Sequence, residues 1–243
     1  MALLYHSAWE SWKELALAEC PNGTPAAVLA LHTAGDLLAF HPHIHGLFLD
    51  GVILPDGSLH SVSINQEQLQ TLFADKVLTA LLREQLLTQD VIDNMKSWQH
   101  SGFNVFVGEP IQHNDQKRLL FAARYLKKCP LSNERLRIDE SGADTIIHYL
   151  SYKNGEKSVR SFSPLEFLAE VQQHIPDSWE QTSRFLGVYS SRSRRAANVK
   201  LVASPAVNLS PLPAPIHKSS ANWACLKKKV FELILEVARA YWT

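Results

Sequence analysis

The hydrophobic and polar positions along the chain follow two periods, which predict a mixture of helices and strands. Apolar residues recur at helical spacing over residues 4–19, and the Pro21-Asn22-Gly23 segment ends that pattern. A short apolar run, Ala26–His32, is typical of a buried strand, and a second run over 43–50 follows it after a turn. Because the connection between these two runs is short, we expect the two strands to pair antiparallel.

The rest of the chain repeats this mixture. Further strands are expected at 51–54 and 58–63 around Pro55-Asp56-Gly57, at 102–108, 135–139, 144–152 and 157–162, and at 184–189. Further helices are expected at 66–87, 88–100, 115–128 and 163–174. Mixed order and hairpin connections favour an α+β fold with an antiparallel sheet flanked by helices. The predicted layout is a domain over 1–200, a proline-rich linker over 201–218 and a C-terminal helix over 219–243.

The composition is that of a globular protein, with 46% hydrophobic and 20% charged residues. The net charge is zero but unevenly distributed: residues 1–75 contain one Lys or Arg against eight Asp or Glu, whereas residues 117–200 contain fifteen against nine. This asymmetry permits a nucleic-acid surface, and a merely solvated face explains it equally well. The three cysteines form no CxxC pair, no apolar run approaches the roughly 20 residues of a membrane span, and no signal-peptide pattern is present. A cytoplasmic protein is therefore expected.

The segment Phe40–Asp50, FHPHIHGLFLD, places His41, His43 and His45 at alternate positions. In a strand these side chains project from one face, with adjacent pairs about 7 Å apart and the outer pair about 13 Å apart. Adjacent pairs can therefore share a metal ion, whereas all three cannot unless the strand bends. Since Pro42 cannot donate a ladder hydrogen bond, we expect His41 at the start of the strand and choose His43 and His45 as the metal ligands.

Two further histidines, His32 and His60, lie on the strands that flank this segment. Either could approach the same metal ion, and each could equally be an ordinary strand histidine.

The predicted helix 115–128 carries Arg118, Phe121, Tyr125 and Lys128 on one face, beside an apolar stripe of Leu119, Ala123 and Leu126. A tyrosine next to cations can act as a nucleophile, because positive charge favours the phenolate over the phenol, whose unperturbed pKa is about 10. The alternative is that this tyrosine packs on the helix surface with its hydroxyl in water.

Several separate motifs run in order from about residue 5 to residue 197: FHPHIHGLFLDG, YLKKCPLSNERL, SYKNG followed by SPLEFLAEVQQHIP, and FLGVYSSRSRR. Together they resemble the two-tyrosine transposases of rolling-circle insertion sequences, which belong to the HUH endonuclease superfamily. The resemblance implies metal-dependent nicking and rejoining of single-stranded DNA at transposon ends, through a covalent 5′-phosphotyrosine.

The resemblance also implies a role for individual residues. Tyr125 would be the nucleophile, His43 and His45 would hold Mg²⁺ or Mn²⁺ with a third ligand not assigned, and Lys128 fits a Tyr-x-x-Lys pattern of related replication initiators. The residues expected to contact the DNA backbone are Arg118, Arg124, Arg184, Arg192, Arg194, Arg195 and Lys200. A solubilising surface is the alternative for the basic residues from Arg184 onwards.

The chain departs from the family in three ways. Many members carry two tyrosines four residues apart, and here the earlier position is Phe121, which has no hydroxyl and cannot attack. Members also usually begin with a cysteine-rich zinc-binding region and a first strand, and this sequence shows neither. Members often end in a cysteine-bearing tail, which this sequence also lacks. A truncated member is therefore expected.

Three functions stay open at this point. The first is an active tyrosine transposase, and the second is an inactive DNA-binding remnant of one. The third is a metal-dependent hydrolase with a zinc ion, for which Asp50 is the nearest carboxylate. Asp50 lies five residues from His45, an odd offset that places it on the opposite face of a strand.

Overall fold

The computed structural model describes residues 2–112, 114–153 and 155–196. Its helices are α1 (Ala2–Glu19), α2 (Gln66–Arg83), α3 (Gln89–Lys96), α4 (Gln116–Leu126), α5 (Pro164–Gln172) and α6 (Ser191–Ala196). Its strands are β1 (Thr24–Ala34), β2 (Phe40–Ile53), β3 (Leu59–His60), β4 (Leu136–Asp139), β5 (Ile146–Lys153), β6 (Glu156–Phe162) and β7 (Ser183–Gly187). The predicted α+β fold is confirmed, and the predicted linker and C-terminal helix lie outside the described residues.

The larger sheet has the order β3-β2-β1-β7, with each neighbouring pair antiparallel. In the predicted β1–β2 pair, His32 lies directly opposite His43 and Ala30 lies opposite His45. Since β1 is central, its residues from Pro25 to Leu31 are buried on both faces of the sheet. This burial explains why β1 reads as a continuous apolar run rather than an alternating pattern.

One helix covers each face of the larger sheet. On one face, α1 places Tyr5 against Ala27, Leu29 and Leu31. The Tyr5 hydroxyl accepts a hydrogen bond from the Leu31 amide at 2.9 Å, and burial raises the pKa of Tyr5 to about 12. On the other face, α4 places Ala123 and Leu126 against Ala26, Val28, Ala30 and Leu49. The side chains at 26, 28 and 30 thus point towards α4, and strand alternation places His32 on that face too.

The smaller sheet, of order β4-β5-β6, packs with α5 against the turn Asp36–Leu38 between β1 and β2. Leu38 is 1% exposed and lies in a cluster with Tyr149, Phe162 and Phe167. The Ser151 hydroxyl donates to the Asp36 carboxylate. These contacts tie the second sheet to the end of the first.

The segment 102–108 is not a strand, so that prediction is wrong. The amides of Val105 and Val107 donate to the side-chain oxygens of Gln70 and Gln66 on α2, at 3.1 and 3.0 Å. The backbone N–H groups of Val105 and Val107 are therefore hydrogen-bonded to helix side chains and not to a neighbouring strand. The Phe106 side chain between them is 85% exposed.

The predicted helices 66–87 and 88–100 end earlier than expected. Helix α2 stops at Arg83, and Gln85 follows with a φ of 58°, a left-handed conformation that ends a helix. Helix α3 stops at Lys96. Within the described residues, none of the helices has both the length and the apolar content needed to cross a membrane.

Candidate active site

Pairing of β1 with β2 gathers three histidines on the sheet face that α4 covers. His32 lies opposite His43, and His45 lies two residues further along the same face of β2. The ring centroids are 4.5 Å apart for His32 and His45, 4.8 Å for His43 and His45, and 5.7 Å for His32 and His43. One nitrogen from each ring lies within 4.8 Å of the others, so the three side chains form a compact candidate metal site.

Backbone carbonyls orient two of the three rings. Nδ1 of His43 lies 2.6 Å from the carbonyl oxygen of His41, and Nε2 of His32 lies 3.3 Å from that of Leu126. Because a carbonyl only accepts, each of these nitrogens must carry the proton when the ring is neutral, which leaves Nε2 of His43 and Nδ1 of His32 as acceptors. A hydrogen bond from the second ring nitrogen to a carbonyl is the usual support of a metal-binding histidine.

Burial lowers the pKa of two of these imidazoles, those of His32 and His45. It lowers the pKa of His45 to about 4, and the neighbouring His32, His43 and Lys128 act in the same direction. Burial also lowers the pKa of His32. Both rings are therefore uncharged near pH 7, with lone pairs available to a ligand.

The residues fit a metal ion. Nε2 of His45 is buried and has no hydrogen-bond partner among the described residues, which is costly for a polar atom unless something else binds it. Two metal–nitrogen bonds of about 2.1 Å span at most about 4.2 Å. The 4.8 Å limit on the present separations therefore calls only for small rotations of the rings.

Helix α4 brings Tyr125 to this cluster. The Asp115 carboxylate caps the helix by accepting from the Arg118 amide at 3.0 Å. The apolar stripe of Leu119, Ala123 and Leu126 is buried, as predicted. This packing leaves Tyr125 38% exposed, with its ring centroid 4.7 Å from that of His45 and the two rings nearly perpendicular at 88°.

Phe121 precedes Tyr125 by one turn of α4, and Lys128 follows the helix, which ends at Leu126 and not at residue 128 as expected. Nζ of Lys128 lies 5.4 Å from the centre of the Tyr125 ring. The Phe121 ring lies 6.2 Å from the Tyr125 ring, with 27° between their planes. The predicted grouping of these side chains around Tyr125 is therefore present, beside the histidine cluster.

The remaining predicted DNA-binding residues are spread over the molecule. Arg118 and Arg124 are exposed on α4, and Arg192 is exposed on α6. Arg184 lies opposite Leu29 on the α1 face of the sheet, with its guanidinium 4.7 Å from the centre of the Tyr5 ring, so it does not join the histidine site. The side chains of Arg194, Arg195 and Lys200 lie outside what the structure describes.

Of the histidines left open by the sequence, His32 joins the cluster and His60 does not. His60 pairs with Val52 near the far end of β2 and is exposed. His41 is exposed, and its ring lies 5.2 Å from that of His43. To include His32 in the cluster from the sequence, one would need the register of β1 against β2. Turn residues alone do not determine that register.

Known proteins resemble this chain over the part that contains the site. A family described as "Putative transposase" matches residues 26–197, which is most of the chain and includes both histidine strands and α4. The chain belongs to this transposase family. The matched residues of this chain include His32, His43, His45 and Tyr125.

The match to an individual transposase is more partial. The chain is 26% identical over 176 residues to the transposase for insertion sequence element IS801 of Pseudomonas savastanoi pv. phaseolicola. The aligned part covers 67% of this chain and 43% of that protein, so the chain spans less than half of the length of this curated relative. No solved structure matches the chain.

Proposed function

We propose that this member of the transposase family nicks and rejoins single-stranded DNA at the ends of a mobile element, with Tyr125 as the nucleophile. The proposal rests above all on the 4.7 Å separation between the Tyr125 ring and that of His45, inside a cluster that fits a metal ion. A phosphate bound to that ion would lie beside the phenol. Such proximity replaces a bimolecular encounter by a positioned attack.

The proposed step is a transesterification. The Tyr125 oxygen attacks the phosphorus and loses its proton to solvent, while the bond from phosphorus to the 3′-oxygen breaks. The products are a 5′-phosphotyrosine and a 3′-hydroxyl, which takes up a proton. Because the phosphodiester bond energy is kept in the tyrosyl link, a 3′-hydroxyl can reverse the step and join strands without ATP.

His32, His43 and His45 would hold a divalent cation for this reaction. When bound, the ion would polarise a non-bridging phosphate oxygen and stabilise negative charge on the leaving oxygen. Among the two expected ions, Mn²⁺ suits three imidazoles better than Mg²⁺, which prefers oxygen ligands and keeps several waters. We therefore propose Mn²⁺ as the better activator, with Mg²⁺ weaker.

Lys128 would assist Tyr125 directly. Its ammonium group lies 5.4 Å from the centre of the phenol ring and can stabilise negative charge on the tyrosyl oxygen or on the phosphate. Arg118 and Arg124, which are both exposed on α4, would bind phosphates of the DNA backbone near Tyr125.

The test is a covalent adduct assay with single-stranded oligonucleotides that span the sequences flanking the gene, labelled at the 3′ end. With Mn²⁺, label is expected to migrate with the protein on a denaturing gel. Tyr125→Phe is expected to abolish the adduct, whereas Tyr152→Phe, which changes a tyrosine 59% exposed on the smaller sheet, is expected to keep it. Label on the protein in Tyr125→Phe would refute the assignment.

The second candidate is a DNA-binding protein that no longer cleaves, and Phe121 favours it, since a member with two tyrosines could perform two attacks in sequence. Binding of the same oligonucleotides without any adduct would support this candidate. The hydrolase alternative is weaker, because the histidine cluster found among the described residues includes no carboxylate.

A further inference from the structure

Phe121 is an exposed aromatic residue that helix packing does not explain. Its side chain is 70% exposed, whereas Leu119, Ala123 and Leu126 provide the buried contacts of α4. An isolated exposed phenylalanine has no need of explanation, but this one lies one helical turn before Tyr125, with its ring tilted by only 27° from the tyrosine ring. Together, the Phe121 and Tyr125 rings form an exposed aromatic surface beside the histidine cluster.

The surroundings of this surface are cationic. The stretch from 116 to 128 contains Lys117, Arg118, Arg124, Lys127 and Lys128 and no carboxylate. Within the described part of the chain, Arg118, Arg124 and Lys128 make no salt bridge. An exposed aromatic ring near Arg118, Arg124 and Lys128, which make no salt bridge in the described part of the chain, is complementary to a ligand with flat apolar rings and phosphates. Single-stranded nucleic acid has that combination, since every base offers a π-face.

We propose that Phe121 is a stacking platform for an unpaired nucleobase next to the phosphate that Tyr125 attacks. This inference rests on the proposed function. The proximity of the two side chains supports it, because the centre of the Phe121 ring lies only 6.2 Å from the centre of the Tyr125 ring. A base on Phe121 therefore belongs to a nucleotide one or two positions from the reacting phosphate.

Stacking there has a consequence for the reaction. A base held on Phe121 fixes the strand on one side of the phosphate, while Arg118 and Lys128 contact the backbone on either side of the ring pair. The platform would select unpaired DNA, because a base inside a duplex cannot present its face to a side chain. Phe121 would thus position the substrate for attack without itself touching the reacting atoms.

The experiment measures the affinity of the full chain for a fluorescent single-stranded oligonucleotide by anisotropy, in chelator, so that no cleavage intervenes. Phe121→Leu removes the π-face and is expected to weaken binding about tenfold, whereas Phe121→Trp is expected to bind at least as tightly as the wild type. The matched control is Trp179→Leu, which removes a residue that is 96% exposed near Ala2 and Arg184, away from α4. It is expected to leave the affinity unchanged.

A set of oligonucleotides with one abasic position each locates the base. For the wild type, an abasic site at one position within two nucleotides of the cleaved phosphate is expected to lower the affinity about tenfold, and that loss is expected to vanish in Phe121→Leu. Equal affinities of the wild type and Phe121→Leu, with adduct formation intact, would overturn the platform and leave the proposed function standing. A change of oligomeric state in Phe121→Leu without loss of DNA affinity would overturn it in favour of a protein contact. No binding by the wild type would overturn both.

Discussion

At the level of single residues, burial keeps His32 and His45 of the cluster neutral, and backbone carbonyls orient the rings of His32 and His43. His32 comes from β1, and the other two come from β2, so the set spans two strands. If one imidazole is removed from a set of three ligands, two ligands are left. Two imidazoles hold a labile ion such as Mn²⁺ only weakly.

His32→Gln is therefore expected to lower the affinity for Mn²⁺ at least tenfold, measured by isothermal titration calorimetry or by the electron paramagnetic resonance signal of free Mn²⁺. The matched control is His41→Gln, since His41 lies on the same strand as the other ligands but is exposed. An equal loss in both variants, or in neither, would contradict the assignment of His32 as the third ligand.

Protonation provides a second prediction. The pKa of His45 is about 4 in the folded chain and 6.5 when unperturbed, so between these values the unfolded chain binds more protons than the folded chain. The stability that depends on a neutral His45 is complete above about pH 6.5 and decreases as the pH falls towards 4. The lowered pKa of His32 acts in the same direction.

In chelator, the urea midpoint of the wild type is expected to fall between about pH 7.5 and about pH 5, and the midpoint of His45→Gln is expected to fall less. Parallel decreases in the two proteins would contradict the effect of His45 burial.

The residues of the site differ in how far the sequence could predict them. His43 and His45 follow from local spacing, because alternate positions share a strand face, whereas Tyr125 is singled out by the family resemblance. His32 follows only once the register of β1 against β2 is known, since a shift by one residue would turn it to the opposite face.

At the element scale, the placement of Tyr125 depends on how closely α4 approaches the sheet. Ala123 is fully buried between the helix and Ala26, Val28 and Ala30, where only a small residue fits. A larger side chain there would lift α4 and separate the tyrosine from the histidines.

Ala123→Leu is therefore expected to cost about 1–3 kcal/mol of unfolding free energy, and to lower the melting temperature by roughly 2–4 °C for each kcal/mol. The same variant is expected to reduce adduct yield more than its stability alone explains. Ala122→Leu, one residue earlier at a half-buried position, is the control and is expected to change neither. Full adduct yield in folded Ala123→Leu would contradict the close-approach argument.

Elements with local signals were predicted well and those with non-local causes were not. The hairpin of β5 and β6 and the start of the helix α5 at Ser163 both follow from nearby residues. The segment 102–108 has a strand composition, but its partners are the Gln66 and Gln70 side chains on α2, which lie over thirty residues away in sequence.

At the scale of the whole molecule, zero net charge conceals an acidic beginning and a basic second half. Cations on α4 and α6 would release counterions on binding DNA, so the affinity should decrease with salt.

For a single strand, the slope of log affinity against log salt is about −0.7 per neutralised phosphate. Arg124→Gln is expected to make this slope less negative by about 0.7. Lys13→Gln, which changes a lysine paired with Glu10 on α1, is expected to leave it unchanged. An unchanged slope in Arg124→Gln would remove α4 from the DNA-binding surface.

The relative placement of the two sheets and α4 could not be predicted from the sequence, because it depends on contacts between distant residues. His174 illustrates this: its Nε2 donates to the Leu38 carbonyl at 2.9 Å, and its Nδ1 lies 3.0 Å from the Thr33 hydroxyl, both more than 130 residues away. The family resemblance implies a shared fold, and the register and helix packing then assemble the site.

The proposed mechanism requires Tyr125 to form a covalent bond with DNA beside the histidine cluster. The most direct measurement is tandem mass spectrometry of the protein after reaction with single-stranded DNA and Mn²⁺, followed by nuclease digestion. We expect a nucleotide joined through its 5′-phosphate to the peptide that contains Tyr125, and we expect this adduct to be lost in His45→Ala. A nucleotide on another residue, or cleaved DNA with no modified peptide, would contradict it.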